Sequence, residues 1–114
     1  MGRIVQPLKN KPHIVDLRDF SDYEISKDGE VFKKATRDGK RPKGRYQLKP
    51  YAHYRSNSLR VILYRDGKRY TRGVADLMLQ AFYPDPRPNA SREVFFIDRD
   101  EHNAALNNLK VADF

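Results

Sequence analysis

Val94-Phe95-Phe96-Ile97-Asp98-Arg99-Asp100-Glu101-His102-Asn103-Ala104-Ala105-Leu106-Asn107-Asn108-Leu109 is the stretch on which the reading of this chain turns. Its apolar opening reads as a strand over residues 93–97. Neighbouring side chains of a strand point to opposite faces, so Phe95 and Phe96 separate, and at least one of them packs in the core. Asp98 then opens a turn whose backbone amides its carboxylate can accept. A short helix is expected near residues 103–109, with Asn103 as its N-cap and Asn107 or Asn108 closing it.

Upstream, Tyr83-Pro84-Asp85-Pro86-Arg87-Pro88 forbids a helix, and residues 73–82 just before it carry the best helical pattern. Val74, Leu77, Met78, Ala81 and Phe82 recur there on one face. Before the helix, residues 46–53 and 58–64 read as strands, and Asp66-Gly67 turns the second into residues 68–72. Leu59, Val61 and Leu63 alternate with Arg60, Ile62 and Tyr64, so this strand is covered in part on both sides. A hairpin at about residues 22–26 and 30–34 closes through Asp28-Gly29, a dipeptide suited to a type I′ turn. Residues 1–14 show no periodicity and hold Pro7 and Pro12, which predicts an extended arm or loop. That arm has no continuous apolar stretch of signal-peptide type.

The 114-residue chain is one domain's worth of sequence. It contains no cysteine, which excludes disulfides and thiolate metal sites, and no apolar run long enough to span a bilayer. A cytoplasmic location is expected, in a host cell if the chain is phage-encoded, with no membrane partner. Twenty-three Lys and Arg against 15 Asp and Glu give a net charge of +8. The surplus is concentrated between Lys33 and Arg72, where only Asp38 and Asp66 oppose fourteen cations, while the ends are near neutral. Such asymmetry is the footprint of a phosphate-facing surface. Tyr46, Tyr51, Tyr54, Tyr64 and Tyr70 are interleaved with these cations; they suit stacking on bases, and equally half-buried strand positions. His13 and His53 share no metal-ligand spacing with His102.

Three blocks, in order, resemble the small HNH homing endonucleases of bacteriophages and bacterial mobile elements. They are Tyr23 to Val31, similar to that family's N-terminal hairpin, Ala75 to Pro84, similar to its helix, and Val94 to Leu109, similar to its ββα-metal unit. Together the blocks cover about residues 20–111. The departures are as informative. Ala75 and Asp76 stand where the family helix has histidine and arginine, Arg99 replaces a glycine, and Phe96 occupies the place of the motif's central histidine. The resemblance assigns that imidazole as the general base that activates water. Phenylalanine has no lone pair, and loss of a general base costs roughly two to four orders of magnitude in rate. His102, the nearest remaining imidazole, points away from the strand position it would have to replace.

The resemblance implies an α+β fold: a small antiparallel sheet of two hairpins with one packed helix, followed by a degenerate ββα-metal, HNH-like unit. Residues 1–19 form the N-terminal arm, and residues 20–114 the domain: a basic hairpin region 20–72, the helix 73–83 and the degenerate unit 92–111. It implies a nucleic-acid-binding pseudo-nuclease rather than an enzyme, with no catalytic residue. DNA is the favoured partner; structured RNA or a ribonucleoprotein is the competitor. Lys33, Lys34, Arg37, Lys40, Arg41, Lys43, Arg45, Arg55, Arg60, Lys68, Arg69 and Arg72 are the expected phosphate contacts. No cofactor is expected beyond a residual Mg²⁺, for which Asp98 and Asn108 are the implied ligands. The alternatives are an active metal-dependent endonuclease, and an accessory protein that binds another protein or a ribonucleoprotein assembly. Reversing Lys40, Arg41 and Lys43 together to glutamate should weaken nucleic-acid binding at about 0.1 M salt. Unchanged affinity in a fluorescence-anisotropy titration would remove that loop from the interface.

Overall fold

The computed structural model describes residues 2–36 and 43–114. Along them run β1 (Arg3–Val5), β2 (Ile14–Asp16), β3 (Tyr23–Ser26), β4 (Val31–Lys33), β5 (Tyr46–Gln47), β6 (Tyr51–Ala52), β7 (Leu59–Arg65), β8 (Lys68–Gly73), α1 (Val74–Phe82), β9 (Arg92–Phe96) and β10 (Leu109–Asp113). The strands pair antiparallel in three small sheets, ordered β1-β10-β9, β2-β3-β4-β5 and β6-β7-β8. The class is α+β, as expected. The helix α1 lies at the centre, its Val74, Leu77, Met78 and Phe82 buried with Ile25, Val31, Val61, Leu63 and Val111 from all three sheets. Asp76 in its first turn complements the helix dipole, and Tyr83 turns extended ahead of Pro84, which ends the helix.

Four local expectations are corrected. The N-terminal stretch, expected as an extended arm or loop without strands, carries two: β1 adds an edge to β10 and β2 adds one to β3, and Val5 and Leu17 are buried. These strands are three residues each, too short for periodicity to reveal. The expected strand over 46–53 is divided between two sheets, with β5 pairing to β4 and β6 to β7. Pro50 lies in the break, where its missing amide cannot join a ladder.

The Asp28-Gly29 hairpin is not a type I′ turn, which needs positive φ at two successive residues. Only Gly29 is left-handed (φ 83°) there, and the Ser26 hydroxyl accepts the amides of Asp28 and Glu30, each at 3.2 Å. By contrast Asp66 (φ 53°) and Gly67 (φ 75°) both take the type I′ conformation between β7 and β8. A side chain at Gly29 would meet the Ala104 carbonyl at 3.0 Å, so this turn is pressed against the loop after β9. The Leu106 amide donates to the Lys27 carbonyl at 2.7 Å across the same contact.

The short helix near 103–109 does not form. A single 3₁₀ turn, Leu106–Asn108, leads directly into β10. The asparagines expected to cap a helix are used otherwise. The Asp98 carboxylate accepts from the Asn103 amide at 2.9 Å, the Asn108 amide at 2.9 Å and the Asp100 backbone N–H at 2.8 Å. The Asn108 carboxamide oxygen in return accepts the Asp98 N–H at 3.0 Å, and its nitrogen also donates to the Asn103 carbonyl at 2.8 Å. This closed clasp folds the loop back on the end of β9 and takes the side chains that would have stabilised helical ends.

At the opposite end of the same hairpin, Arg92 Nε donates to the fully buried Asp113 carboxylate at 2.7 Å, and its Nη1 to the Pro84 carbonyl at 2.6 Å. Arg3 reaches the same carboxylate at 3.4 Å. Hydrogen bonding from Arg92 holds the Asp113 carboxyl below the usual carboxylate range against the opposing effect of burial.

Asn108 is buried and ties both ends of the loop, so Asn108→Ala should destabilise the protein by about 1–3 kcal/mol in denaturant unfolding. Donation from Asn103, then from the Asp100 amide and Asn108, likewise lowers the Asp98 carboxyl pKa. A carboxyl whose folded pKa lies below its unfolded value contributes stability above the unfolded pKa and loses it as pH falls through the folded one. Asp98→Asn should therefore flatten the acid limb of the melting-temperature profile relative to the unaltered protein. Parallel profiles from neutral to strongly acid pH would contradict the clasp.

Candidate nucleic-acid interface and the cavity beside it

The β7–β8 ladder sorts the basic region onto two faces. Val61 pairs with Arg72 and Leu63 with Tyr70 on the side that packs on α1, while Arg60 pairs with Gly73, Ile62 with Thr71 and Tyr64 with Arg69 on the other. β6 extends the outer face, setting Tyr51 opposite Arg60. The outer face thus presents Tyr51 and Tyr64, 40% and 54% exposed, among Arg60, Arg69 and Thr71. Aromatic surface alternating with guanidinium groups on an open sheet can stack bases and neutralise phosphates.

The expected phosphate contacts do not share one environment. Arg72 is turned inward, stacked over Phe20 and Tyr70 at 5.4 and 5.2 Å and donating to the Thr71 carbonyl at 2.9 Å. Arg65, which the sequence did not single out, flanks the same two rings at 5.2 and 4.9 Å. Its bond to the Tyr70 hydroxyl raises its own pKa. Lys34 is paired with Asp16 at 2.8 Å, and Arg45 with Glu24 while its guanidinium lies 3.9 Å over Phe32. Lys33 sits 5.6 Å over the Tyr23 ring, and Arg55 5.3 Å over Tyr54 on the loop after β6. Arg60, Lys68 and Arg69 make no ion pair among the described residues, and Lys43 is exposed. Arg37, Lys40 and Arg41 fall outside the described residues. Of the five tyrosines, Tyr51 and Tyr64 lie on the open face, Tyr70 lies on the inner one against Phe20, and Tyr46 and Tyr54 are exposed elsewhere.

Where this sheet meets the β9–β10 hairpin there is a cavity of about 380 Å³, lined among others by Arg60, Ala75, Asp76, Phe96 and Glu101. Ala75 and Phe96 are the two positions at which the chain departs from the HNH pattern by lacking histidine. They are 21 residues apart, and the fold brings them to one wall. The carboxylates of Asp76 and Glu101 are the acidic groups in that lining; sequence spacing alone did not single them out. His102 is not part of the lining. Its Nε2 contacts the Asn57 carbonyl at 2.9 Å and the Asn57 side-chain oxygen at 3.2 Å, tying the loop after β9 to the turn before β7.

The residues at Asp98 do not fit an Mg²⁺ site. A metal needs oxygen lone pairs, but Asn108 turns its N–H groups toward Asp98 and its oxygen toward a backbone amide. The Asp98 carboxylate accepts three donors already. Among the described residues no cluster of three or more His, Asp or Glu side chains could hold a metal ion.

No protein-family model matches the chain, and no curated protein matches it. Among solved structures, one described as "DNA binding and cleavage by the HNH homing endonuclease I-HmuI" is similar over 86% of this chain, with a TM-score of 0.65 and 21% identity. The match spans 51% of that protein's chain, about half its length. Over most of its length the described chain therefore has an HNH-like fold.

Proposed function

We propose that this protein binds nucleic acid through the outer face of β6-β7-β8 and the adjoining basic loop, on an HNH-like scaffold that does not cleave. Double-stranded DNA is the favoured partner, in keeping with the similarity to a DNA-binding homing endonuclease. The observation that carries the reading is the cavity beside the sheet, which has Phe96 and Ala75 in its wall and no imidazole in its lining. General-base catalysis needs a group with a lone pair within hydrogen-bond reach of the attacking water. Neither hydrocarbon side chain supplies one, and the two carboxylates of the lining, Asp76 and Glu101, stand outside the pattern's histidine positions. The Asp98 clasp supports the same conclusion, because its carboxylate and carboxamides are spent on holding the loop.

Arg60, Arg69, Lys68 and Lys43 are the phosphate contacts in this reading, with Arg37, Lys40 and Arg41 added by the loop. Tyr51 and Tyr64 supply stacking surface. Arg72, Arg45 and Lys34 contribute to the field and brace the scaffold, since their cationic groups are stacked or paired internally. Contacts of this kind position a duplex without reading its bases.

Binding to a DNA duplex should fall steeply with salt, and Arg60→Ala and Arg69→Ala should each lower the slope of log affinity against log salt by about one. Arg45→Ala should leave that slope nearly unchanged. Supercoiled plasmid incubated with the protein and Mg²⁺ or Mn²⁺ should remain intact. Nicking that disappears in Asp98→Ala would establish a metal-dependent nuclease instead. Equal salt slopes for the Arg60, Arg69 and Arg45 variants would remove the sheet face from the interface.

A further inference from the structure

The sheet β1-β10-β9 has one covered face and one bare one. Val5, Val111 and Phe96 turn inward, leaving Ile4, Phe95, Ile97 and Phe114 outward at 50%, 46%, 63% and 53% exposure. Ile4, Phe95 and Phe114 surround a shallow hollow whose floor is Ala112. Contiguous apolar surface of this type on a small protein marks an interaction site.

The charges on this face identify the occupant. The register puts Ile4, Ala112 and Glu93 in one row across the sheet, with Lys110 and Phe95 in the next. Glu93 on β9 and Lys110 on β10 thus lie on either side of the diagonal that runs from Ala112 to Phe95. Ile4 on β1 and Phe114, the residue after β10 that bonds to the Ser91 backbone, flank the same diagonal on its other arm. A two-fold axis along that diagonal exchanges the members of each pair.

We infer that this face binds a second copy of the chain, the two sheets crossing near a right angle, one of the two standard angles for packed sheets. In that arrangement Phe95 packs on the partner's Phe95, Ile4 meets the partner's Phe114, and Glu93 lies against the partner's Lys110. A two-fold interface must be complementary to itself, and a face with one acid and one base placed symmetrically about an axis meets that condition. The cation-rich segment lies in β4 to β8, outside this sheet, so self-association does not bring the main positive surfaces together. The inference is independent of the nucleic-acid reading. If both hold, the dimer carries two basic sheet faces.

Sedimentation or light scattering of the full chain without nucleic acid should give about twice the 13.4 kDa chain mass at concentrations of roughly 100 μM, typical of modest interfaces. Glu93→Lys and Lys110→Glu alone should each weaken association by about tenfold or more, since each sets like charges opposite one another at two symmetric places. The double variant carrying both should recover dimerisation to within about threefold of the original. Phe95→Glu should give monomers with an unchanged far-ultraviolet dichroism spectrum. A monomer across the whole concentration range would overturn the inference. So would a dimer indifferent to the single reversals, single variants that the double change does not rescue, or a face found to engage only a different protein.

Discussion

The register in which β9 pairs with β10 governs both the wall of the cavity and the bare apolar face of its sheet. Val94 opposite Val111 and Phe96 opposite Leu109 send Phe96 toward the cavity and the core, and Phe95 toward the outer face. Side chains alternate along a strand with period two, so a slip of one residue would exchange them. It would put Phe95 into the cavity wall and expose the valines. Two polar devices hold the hairpin against this. The Arg92–Asp113 pair, buried and anchored to the Pro84 carbonyl, closes one end. The reciprocal hydrogen bonds of Asp98 and Asn108 close the other.

Polar groups that the HNH pattern associates with a metal therefore serve here as fasteners. The donor and acceptor inventory of a carboxamide settles what it can do in a given orientation. An asparagine that aims its N–H groups at an aspartate has no oxygen to offer a cation there. Nearby, both imidazoles of the pattern are replaced by hydrocarbon, and the one histidine of the loop is engaged with Asn57. On the proposed reading the scaffold keeps shape and basic surface, while the positions at which the HNH pattern places its histidines are hydrocarbon. This is a coherent outcome, since holding a polyanion depends on charge and geometry distributed over many residues, whereas proton transfer depends on one atom.

Much of the architecture was legible in the sequence where periodic or punctuating signals are strong. The helix appeared from its apolar spacing and its Pro84 stop, and β7 from its alternation. The tight turn between β7 and β8 followed from Asp66-Gly67, though its type I′ form did not. What failed were features whose signal lies elsewhere in the chain. β1 and β2 are strands only because β10 and β3 present ladders to them. Residues near 103–109 carry helix-cap asparagines by type, but Asp98 competes for those side chains and wins. Similarly, a census of cations could not say that Arg72 is stacked inside on Phe20 and Tyr70 while Arg69 faces out. Facing follows from pairing.

The amino-acid sequence by itself determined the class of fold, the basic character of the middle of the chain, and the absence of histidine at Phe96 and Ala75. These are local properties of composition, period and motif. Only the tertiary structure decided that those two positions share a wall, that Asp98 accepts three amide donors, and which arginines and phenylalanines remain open to a partner. Each of these depends on strand register and on side chains far apart in sequence competing for the same hydrogen bonds, and local pattern carries no information about such competition.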